Sequence, residues 1–307
     1  MIDTHDIIHT FEPMWGNWYA EELIGEGSFG RVYRAARKEG DRSFYSAIKL
    51  IPIPKNQSDI ITIKNQGMDD ASVEAYLSDM TERLINEIEI MNRLKGETNI
   101  VSYEDHQVIY EKDSLQRFLL IRMELLIPLN AYLADNELDS DDVRRLGIGI
   151  CNALEVCEAN NIIHRDIKDG NVFMNIHGTF KLGDFGIARE LDPLCHTMSM
   201  RGTPAYVAPE MYHGKYYDNT VDIYSLGIMM YKMLNNGRYP FLPPAPDAFT
   251  YAQQDEAFYR RISGEIPPFP KNGDRLLKEA IMIAIDPDPS ERFRNAAAFK
   301  TALGCKY

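Results

Sequence analysis

The sequence predicts an α+β fold in which strands come first and helices follow. Two strand-like runs, 18–24 and 31–36, flank a glycine-rich turn, and a short apolar strand follows at 47–49. Apolar residues then recur at steps of three and four from Val73 to Met91, a spacing typical of one face of a helix. Strands grouped before helices favour the α+β class.

After the Val73–Met91 helix the sequence predicts another strand and two further helices. Residues 118–126 form a buried apolar strand, and the acidic cluster 139–142 after it is a typical helix start. Apolar residues follow that cluster at helical spacing: Val143, Leu146, Ile150, Leu154 and Cys157. Asp222 begins another helix, which is almost wholly apolar.

Composition limits the class of protein. A chain of 307 residues that is 45% hydrophobic can bury a substantial core. Its net charge of −13 argues against a nucleic-acid partner, which needs clustered lysine and arginine. The four cysteines show neither a paired metal spacing nor a disulfide framework. With no signal peptide and no apolar run long enough to cross a bilayer, we expect a cytoplasmic protein without a membrane segment.

One short span combines a carboxylate with further oxygen ligands. The stretch 164–171, His-Arg-Asp-Ile-Lys-Asp-Gly-Asn, is followed thirteen positions later by Asp184-Phe185-Gly186. The second motif alone is more typical of a turn, and His164 has a structural reading as a packed loop residue, which we adopt. Together the two motifs indicate phosphoryl-transfer chemistry, with Asp166 accepting a proton and Asn171 and Asp184 binding metal.

An upstream glycine motif supports that interpretation. Gly25, Gly27 and Gly30 let the backbone approach phosphate groups closely. A lone motif of this kind also fits a dinucleotide-binding turn, but such a turn leads into a helix, and here a strand follows. Lys49 ends the next strand, where a solvated edge charge is the plain alternative.

In order and spacing, these motifs resemble the protein kinase superfamily, specifically its serine/threonine branch, from about residue 18 to about 302. The chain looks most like the eukaryotic-type (Hanks-type) kinases of bacteria. The resemblance implies an α+β, two-lobed kinase fold: an N-lobe with an antiparallel β-sheet and one long helix (18–124), and a mainly helical C-lobe (125–307). Residues 1–17 are expected to form a leader that packs on the N-lobe, because tryptophans seldom stay fully exposed.

The resemblance also implies a reaction that uses ATP and Mg²⁺. Asp166 would accept the proton of the acceptor hydroxyl, Lys49 and Lys168 would hold phosphate charge, and Asn171 and Asp184 would bind the metal. Lys168, two residues after Asp166, marks the serine/threonine branch. We therefore expect protein substrates with serine or threonine acceptors.

A larger set of residues is implied for nucleotide binding. Glu87 would pair with Lys49, with Glu82 and Glu89 as nearby alternatives, and backbone groups of Glu124 and Leu126 would bind the adenine edge. The full set is Ile24, Gly25, Glu26, Gly27, Gly30, Val32, Ala47, Lys49, Glu87, Met123, Glu124, Leu126 and Phe173. The segment before the Glu87 helix is longer than the family usually has, and extra helix is its plainest explanation.

Other residues have scaffold roles in the family. Glu210, in Ala-Pro-Glu, would form a buried salt bridge with Arg292. Asp222 would accept hydrogen bonds from the backbone around His164 and Arg165. These residues support the site without touching substrate.

Control by phosphorylation is a further expectation. Kinases with an arginine at the position of Arg165 commonly use it to grip a phosphate on the activation segment, and Arg189 lies just beyond Asp184. Thr197 and Ser199 are the candidate phosphosites, although both also fit ordinary polar loop residues. Thr203 is expected to contact the catalytic loop instead.

Two residues depart from the family pattern, and two alternative functions stay open. Asp169 stands where the family commonly has proline, and Ser46 where it has valine. Neither change removes a charge that the chemistry needs. One alternative is a nucleotide-binding pseudokinase, which is disfavoured because no essential group is missing. The other is a small-molecule kinase of related fold, which is disfavoured by Lys168 together with Gly202-Thr203 and Ala208-Pro209-Glu210.

Overall fold

The computed structural model describes residues 7–27, 30–55, 57–65, 67–111, 115–185 and 205–305. Within these, the chain forms two compact units. One contains the residues up to Gly96 together with Val101–Leu126. The other contains Glu97–Ile100, 127–185 and 205–305.

The first unit is built on a five-stranded antiparallel sheet of order β1-β2-β3-β5-β4. Its strands are β1 (Tyr19–Gly27), β2 (Gly30–Glu39), β3 (Arg42–Ile53), β4 (Tyr103–Tyr110) and β5 (Arg117–Met123). The register sorts the side chains of β3 onto two faces. Lys49 pairs with Val32 and with Ile121, so these three side chains share the face that we call the Lys49 face.

The strand β3 is longer than the sequence predicted, since it continues past Lys49 to Ile53 and includes Pro52. Proline cannot donate a ladder hydrogen bond, so a proline inside a strand needs an explanation. The pairing of β3 with β2 ends at Leu50, whereas its pairing with β5 continues to Ile53. Among the described residues, Pro52 therefore has a strand partner on one side only, the position in which a sheet tolerates proline.

The first residues of the described chain cover the opposite face of the sheet, which we call the leader face. A 3-10 helix (Ile7–Phe11) and the turn after it bring Ile8, Met14 and Trp18 into one hydrophobic cluster with the sheet. The sheet residues of this cluster are Tyr33, Ala35, Ile48, Leu50, Phe118 and Leu120. Since β3 is covered on this face and buried on the other, its residues 46–51 are all buried.

Two helices connect β3 to β4, namely α1 (Gln57–Asn65) and α2 (Asp70–Arg93). The expected extra helix is thus present as α1. Asp69 caps α2 by accepting a hydrogen bond from the Ser72 amide at 2.8 Å. The helix packs against β3 and β4 through a buried stripe: Val73, Leu77, Thr81, Leu84, Ile88 and Met91. This confirms the predicted helix and its apolar face.

The second unit is mainly helical. Its elements are β6 (Ile127–Pro128), α3 (Leu129–Asp135), α4 (Ser140–Ala159), β7 (Val172–Met174), β8 (Phe180–Leu182), α5 (Pro209–Tyr212), α6 (Thr220–Leu234), α7 (Tyr251–Ile262), α8 (Arg275–Ala284) and α9 (Ala296–Gly304). Asp139 and Asp142 form a capping box at the start of α4, at the predicted acidic cluster. The apolar helix α6 is almost wholly buried and contacts α4 and α8. The predicted fold class is confirmed. Among the described residues, no helix is both long and apolar enough to cross a membrane.

Candidate active site

Asp166 lies at the centre of a hydrogen-bonded loop between α4 and β7. Its Oδ2 atom accepts hydrogen bonds from Lys168 Nζ at 2.8 Å and from Asn171 Nδ2 at 2.9 Å. Asn171 Nδ2 also donates to the Asp166 carbonyl oxygen at 2.7 Å. One carboxylate oxygen is therefore fixed by two neighbours from the same short loop, and the carboxylate is held in one orientation.

The start of this loop is attached to the buried helix α6. Asp222, 2% exposed, accepts hydrogen bonds from the His164 amide at 2.7 Å and the Arg165 amide at 2.8 Å. This confirms the scaffold role predicted for Asp222. Arg165 has a φ of 66°, in the left-handed region that non-glycine residues seldom adopt. The two bonds from Asp222 stabilise that strained turn, which immediately precedes Asp166.

His164 is a buried side chain that supports the loop through its two ring nitrogens. Its Nε2 atom lies 3.1 Å from the Gly183 carbonyl oxygen, and its Nδ1 atom lies 3.3 Å from the Asp166 amide, which must donate. The ring is therefore the tautomer with the proton on Nε2. Burial lowers the pKa of His164, although Asp222 opposes that change. The packed-loop role assigned to His164 fits this environment.

Asp184 lies two residues after the end of β8, and the residue between them, Gly183, is bonded to Asn171. The Gly183 amide donates to the Asn171 carbonyl at 2.9 Å, and Phe185 packs on His164 with ring centroids 5.0 Å apart. Asp184 has a φ of 54°, an unusual backbone conformation that aspartate tolerates better than most residues. Gly186 lies outside the described residues.

The chemistry of Asn171 and Asp184 fits a magnesium ion. A carboxylate and an amide oxygen are hard ligands of the type that Mg²⁺ binds, with phosphates and water completing the octahedron. Because Asn171 Nδ2 donates to Asp166, the amide oxygen is the ligand that Asn171 can offer. The site residues predicted in the second unit, Asp166, Lys168, Asn171 and Asp184, thus lie on two adjoining segments of it.

In the first unit, five of the residues predicted to bind nucleotide share the Lys49 face: Gly25, Val32, Ala47, Lys49 and Met123. Val32 pairs with Lys49 and with Gly25, and Ala47 pairs with Met123. Because Ala47 and Lys49 are two residues apart on one strand, all five positions project to the same side of the sheet. Ala47 is 5% exposed and Lys49 is 9% exposed. Lys49 is therefore a buried cation, which excludes the alternative of a solvated edge charge.

The helix α2 covers this same face. Arg117 projects from β5 to the side of Lys49, since residues 117, 119 and 121 alternate with those of the leader face. Its guanidinium donates to Thr81 Oγ1 at 3.2 Å and to Ser78 Oγ at 3.2 Å, and it forms a salt bridge with Glu74. Three residues of α2 are thereby tied to the sheet.

Glu87 is the acid of α2 that faces inward. It is half-buried within the stripe of Leu84, Ile88 and Met91, whereas Glu82 and Glu89 are exposed. Lys49 and Glu87 thus belong to the facing surfaces of the sheet and α2. Glu82 and Glu89 lie on the solvent side of the helix.

Two glycines of the glycine-rich motif, Gly27 and Gly30, differ in whether a side chain would fit at their position. A Cβ atom at Gly30 would lie 2.1 Å from the Leu50 carbonyl oxygen, and Gly30 has a φ of 142°. Gly30 is therefore required by the packing of β2 against β3. A Cβ atom at Gly27 would meet no described atom within 4 Å, so sheet packing places no such demand on it.

The remaining predicted nucleotide residues occupy regular positions. Ile24 and Glu26 lie in β1, Glu124 is the first residue after β5, and Leu126 is the third. The Glu124 amide donates to the Ser102 carbonyl at 3.1 Å. Phe173 lies in β7 of the second unit, paired with Pro128 and Lys181.

Comparison with known proteins decides the family. The family model of the protein kinase domain matches residues 18–303. The chain belongs to the protein kinase family. As a kinase domain it is similar to serine/threonine kinases of both bacteria and eukaryotes.

Three relatives illustrate the range. The "Probable serine/threonine-protein kinase PknB" of Bifidobacterium longum is 28% identical over 300 residues, which are 94% of this chain and 39% of the relative. Serine/threonine-protein kinase Pkn1 of Myxococcus xanthus is 31% identical over 232 residues, covering 70% of this chain and 32% of the relative. Serine/threonine-protein kinase TIO of Arabidopsis thaliana is 33% identical over 227 residues, covering 73% and 15%. The chain thus spans well under two thirds of these relatives' lengths.

The kinase scaffold pair predicted in the second unit is present. Arg292 donates to Glu210 Oε1 at 2.7 Å and to Oε2 at 2.9 Å, and both residues are buried. This bidentate salt bridge ties α5 to the turn before α9. The prediction for Glu210 and Arg292 is confirmed.

Sequence reasoning missed the roles of Arg117, which is buried, and of Lys232, which is half-buried, and several of its predicted positions stay untested. Arg117 gave no signal beyond an arginine heading an apolar strand. Lys232 had a usable signal, as a lone cation in an apolar helix, and it lies 2.6 Å from Asp169. Arg189, Thr197, Ser199, Gly202 and Thr203 lie outside the described residues.

Proposed function

We propose that this chain is an ATP- and Mg²⁺-dependent protein serine/threonine kinase that transfers the γ-phosphoryl group of ATP to a protein hydroxyl. The observation that carries the proposal is the double fixation of Asp166 by Lys168 and Asn171. A carboxylate held in this way can orient a hydroxyl group and accept its proton. The family match and the serine/threonine kinases among the relatives support the same activity.

Within this proposal, the second unit handles the acceptor and the metal. Asp166 orients the hydroxyl oxygen toward the γ-phosphorus and takes its proton as the new P–O bond forms, while the bond from the γ-phosphorus to the β–γ bridging oxygen breaks and ADP leaves. Lys168 is a cation at 2.8 Å from Asp166 and stabilises charge on the phosphoryl oxygens. Asn171 and Asp184 would hold Mg²⁺, which would neutralise charge on the triphosphate.

The first unit would hold the nucleotide. Val32, Ala47 and Met123 offer apolar surface for the adenine ring on the Lys49 face. Lys49, paired with Glu87, would bind the α- and β-phosphates, and the amides around Gly25, Glu26 and Gly27 would cover them. Because the Glu124 amide is bonded to Ser102, we expect Glu124 to bind adenine through its carbonyl.

The proposal extends to the acceptor residues, the cellular location, the origin and the activation of the protein. Serine and threonine acceptors are supported by Lys168 and by the names of the relatives. A cytoplasmic location fits the absence of any disulfide-like cysteine framework in the sequence, and a bacterial origin fits the relatives from bacteria. Activation through Thr197 or Ser199 rests on the sequence alone.

The test is transfer of labelled phosphate. The purified chain is incubated with γ-labelled ATP and Mg²⁺, together with generic protein substrates and, separately, with small alcohols and sugars. We expect label on protein serine and threonine, and an Asp166→Asn variant that is folded but about 100- to 1,000-fold slower. Label on the small molecules alone would replace the proposal by a small-molecule kinase, and nucleotide binding without any transfer would replace it by a pseudokinase.

A further inference from the structure

The buried helix α6 carries two charged residues, Asp222 near its start and Lys232 near its end. Asp222 accepts hydrogen bonds from the His164 and Arg165 amides, as described above. Lys232 Nζ donates to Asp169 Oδ2 at 2.6 Å. Each charge of α6 therefore binds a different end of the same loop.

Asp169 is well placed to transmit this attachment. It is the first residue of a 3-10 turn (Asp169–Asn171) whose last residue donates to Asp166, and it directly follows Lys168, the other donor to Asp166. Fixing the Asp169 side chain therefore fixes the turn that connects both donors. A proline at this position would have no carboxylate for Lys232 to bind.

The surroundings of Lys232 favour a persistent pair. The two side chains are each only 25% exposed. Lys232 Nζ also donates to the Tyr206 hydroxyl at 3.2 Å, and it lies 5.2 Å from the ring centroid of Tyr239. Burial lowers the pKa of Lys232, but the hydrogen bond to Asp169 more than offsets this, so the net pKa is raised and the side chain stays charged. Partial burial and aromatic contacts strengthen an ion pair relative to an exposed one.

We propose that Asp169 and Lys232 form a positioning pair that holds the catalytic loop, so that Lys168 and Asn171 keep Asp166 in its working orientation. Neither residue needs to touch substrate. The inference rests on the proposed function, because the orientation that it explains is that of the proposed catalytic base.

The experiment compares Lys232→Met, Asp169→Asn and their double variant with the wild-type chain. Lys300→Met is the matched control, since Lys300 forms a 2.6 Å pair with Glu155 at similar exposure but joins α9 to α4, away from the loop. We expect each single variant to lower kcat about 10-fold while the KM for ATP stays within about twofold, because a misplaced base slows the chemical step. The double variant should be no slower than either single one, and Lys232→Arg should retain most activity.

A second readout does not depend on activity. Amide hydrogen exchange of peptides covering 164–172 should be faster in Lys232→Met and Asp169→Asn than in the wild type, and unchanged in Lys300→Met. If the wild-type chain transfers phosphate but Lys232→Met matches Lys300→Met in kcat, the inference is wrong while the proposed function stands. If the wild-type chain transfers nothing, the proposed function fails, and unchanged exchange in the loop would overturn the positioning role as well.

Discussion

The guanidinium of Arg117, on β5, donates a hydrogen bond to the hydroxyl of Thr81 on α2 at 3.2 Å. Arg117 is 3% exposed and also bonds Ser78 and Glu74. It is therefore a polar link between the sheet and the helix that carries Glu87. The position of this helix should depend on it.

The first prediction concerns that link. Arg117→Met should lower the free energy of unfolding by about 3 kcal/mol, because it removes a buried cation and leaves its polar partners on α2 without their donor. Arg83→Met is the control, because Arg83 pairs with Asp79 on the exposed side of α2 and should change stability by less than about 1 kcal/mol. Urea unfolding measures both, and equal effects of the two variants would contradict the role of Arg117.

The second prediction identifies the partner of Lys49. Glu87→Gln should lower kcat/KM by about 100-fold, because the charge that orients Lys49 toward phosphate is lost. Glu89→Gln, an exposed acid two residues away, should leave kcat/KM unchanged. Steady-state kinetics with varied ATP decide the matter, and a larger loss in Glu89→Gln would move the assignment to the other acid.

The third prediction tests the metal ligands through binding. ATP should raise the melting temperature more with Mg²⁺ than with EDTA, since a ligand at 100 times its Kd stabilises the native state by about 2.7 kcal/mol. In Asp184→Asn the extra effect of Mg²⁺ should disappear while the shift in EDTA remains. A shift that ignores the metal in the wild-type chain would remove Asn171 and Asp184 from metal binding.

The fourth prediction separates two glycines of one motif. Gly30→Ala should destabilise the chain by more than about 2 kcal/mol, because the new Cβ atom overlaps the Leu50 carbonyl oxygen and the backbone is in a region that alanine avoids. Gly27→Ala should keep stability within about 1 kcal/mol but weaken ATP binding. Thermal melts with and without ATP distinguish them. A stable Gly30→Ala chain would show that β2 can move away from β3.

The fifth prediction concerns control by phosphorylation. Incubation with ATP should place phosphate on Thr197 or Ser199 and raise activity, because a phosphate adds about −1.5 to −2 charge that Arg165 and Arg189 can bind. Intact mass and peptide mapping identify the site. Full activity in a Thr197→Ala, Ser199→Ala double variant would refute this control and leave the kinase proposal intact.

Local sequence patterns predicted the parts of this structure that depend on short-range chemistry. The capping box of Asp139 and Asp142, the buried stripe of α2 and the bonds from Asp222 all follow from spacing or from motif resemblance. Contacts between distant segments were harder to predict. No pattern around Arg117 indicates that it contacts Thr81, 36 residues earlier. From the sequence alone, Asp169 is only a departure from the family pattern, because its partner Lys232 lies 63 residues later in the chain.

The length of β3 shows a different limit. Propensity treats Pro52 as a strand breaker, and only the sheet register reveals that, among the described residues, the pairing of β3 with β2 ends at Leu50, before Pro52. Gly30 is similar, since its need for glycine comes from a carbonyl on another strand. In both cases, whether the residue fits its strand depends on the backbone of the neighbouring strand.

The placement of Ile8 and Met14 bears on how the catalytic domain is to be delimited. The family match begins at residue 18, yet both side chains, at 0% and 1% exposed, lie under the sheet among Ile48 and Leu50. A protein trimmed to the matched span would present a bare aliphatic surface behind the strand that carries Lys49, and such surfaces associate in water. In this chain the family match therefore begins after residues that belong to the folded core. A trimmed form that keeps all of its catalytic residues would be poorly soluble for this reason.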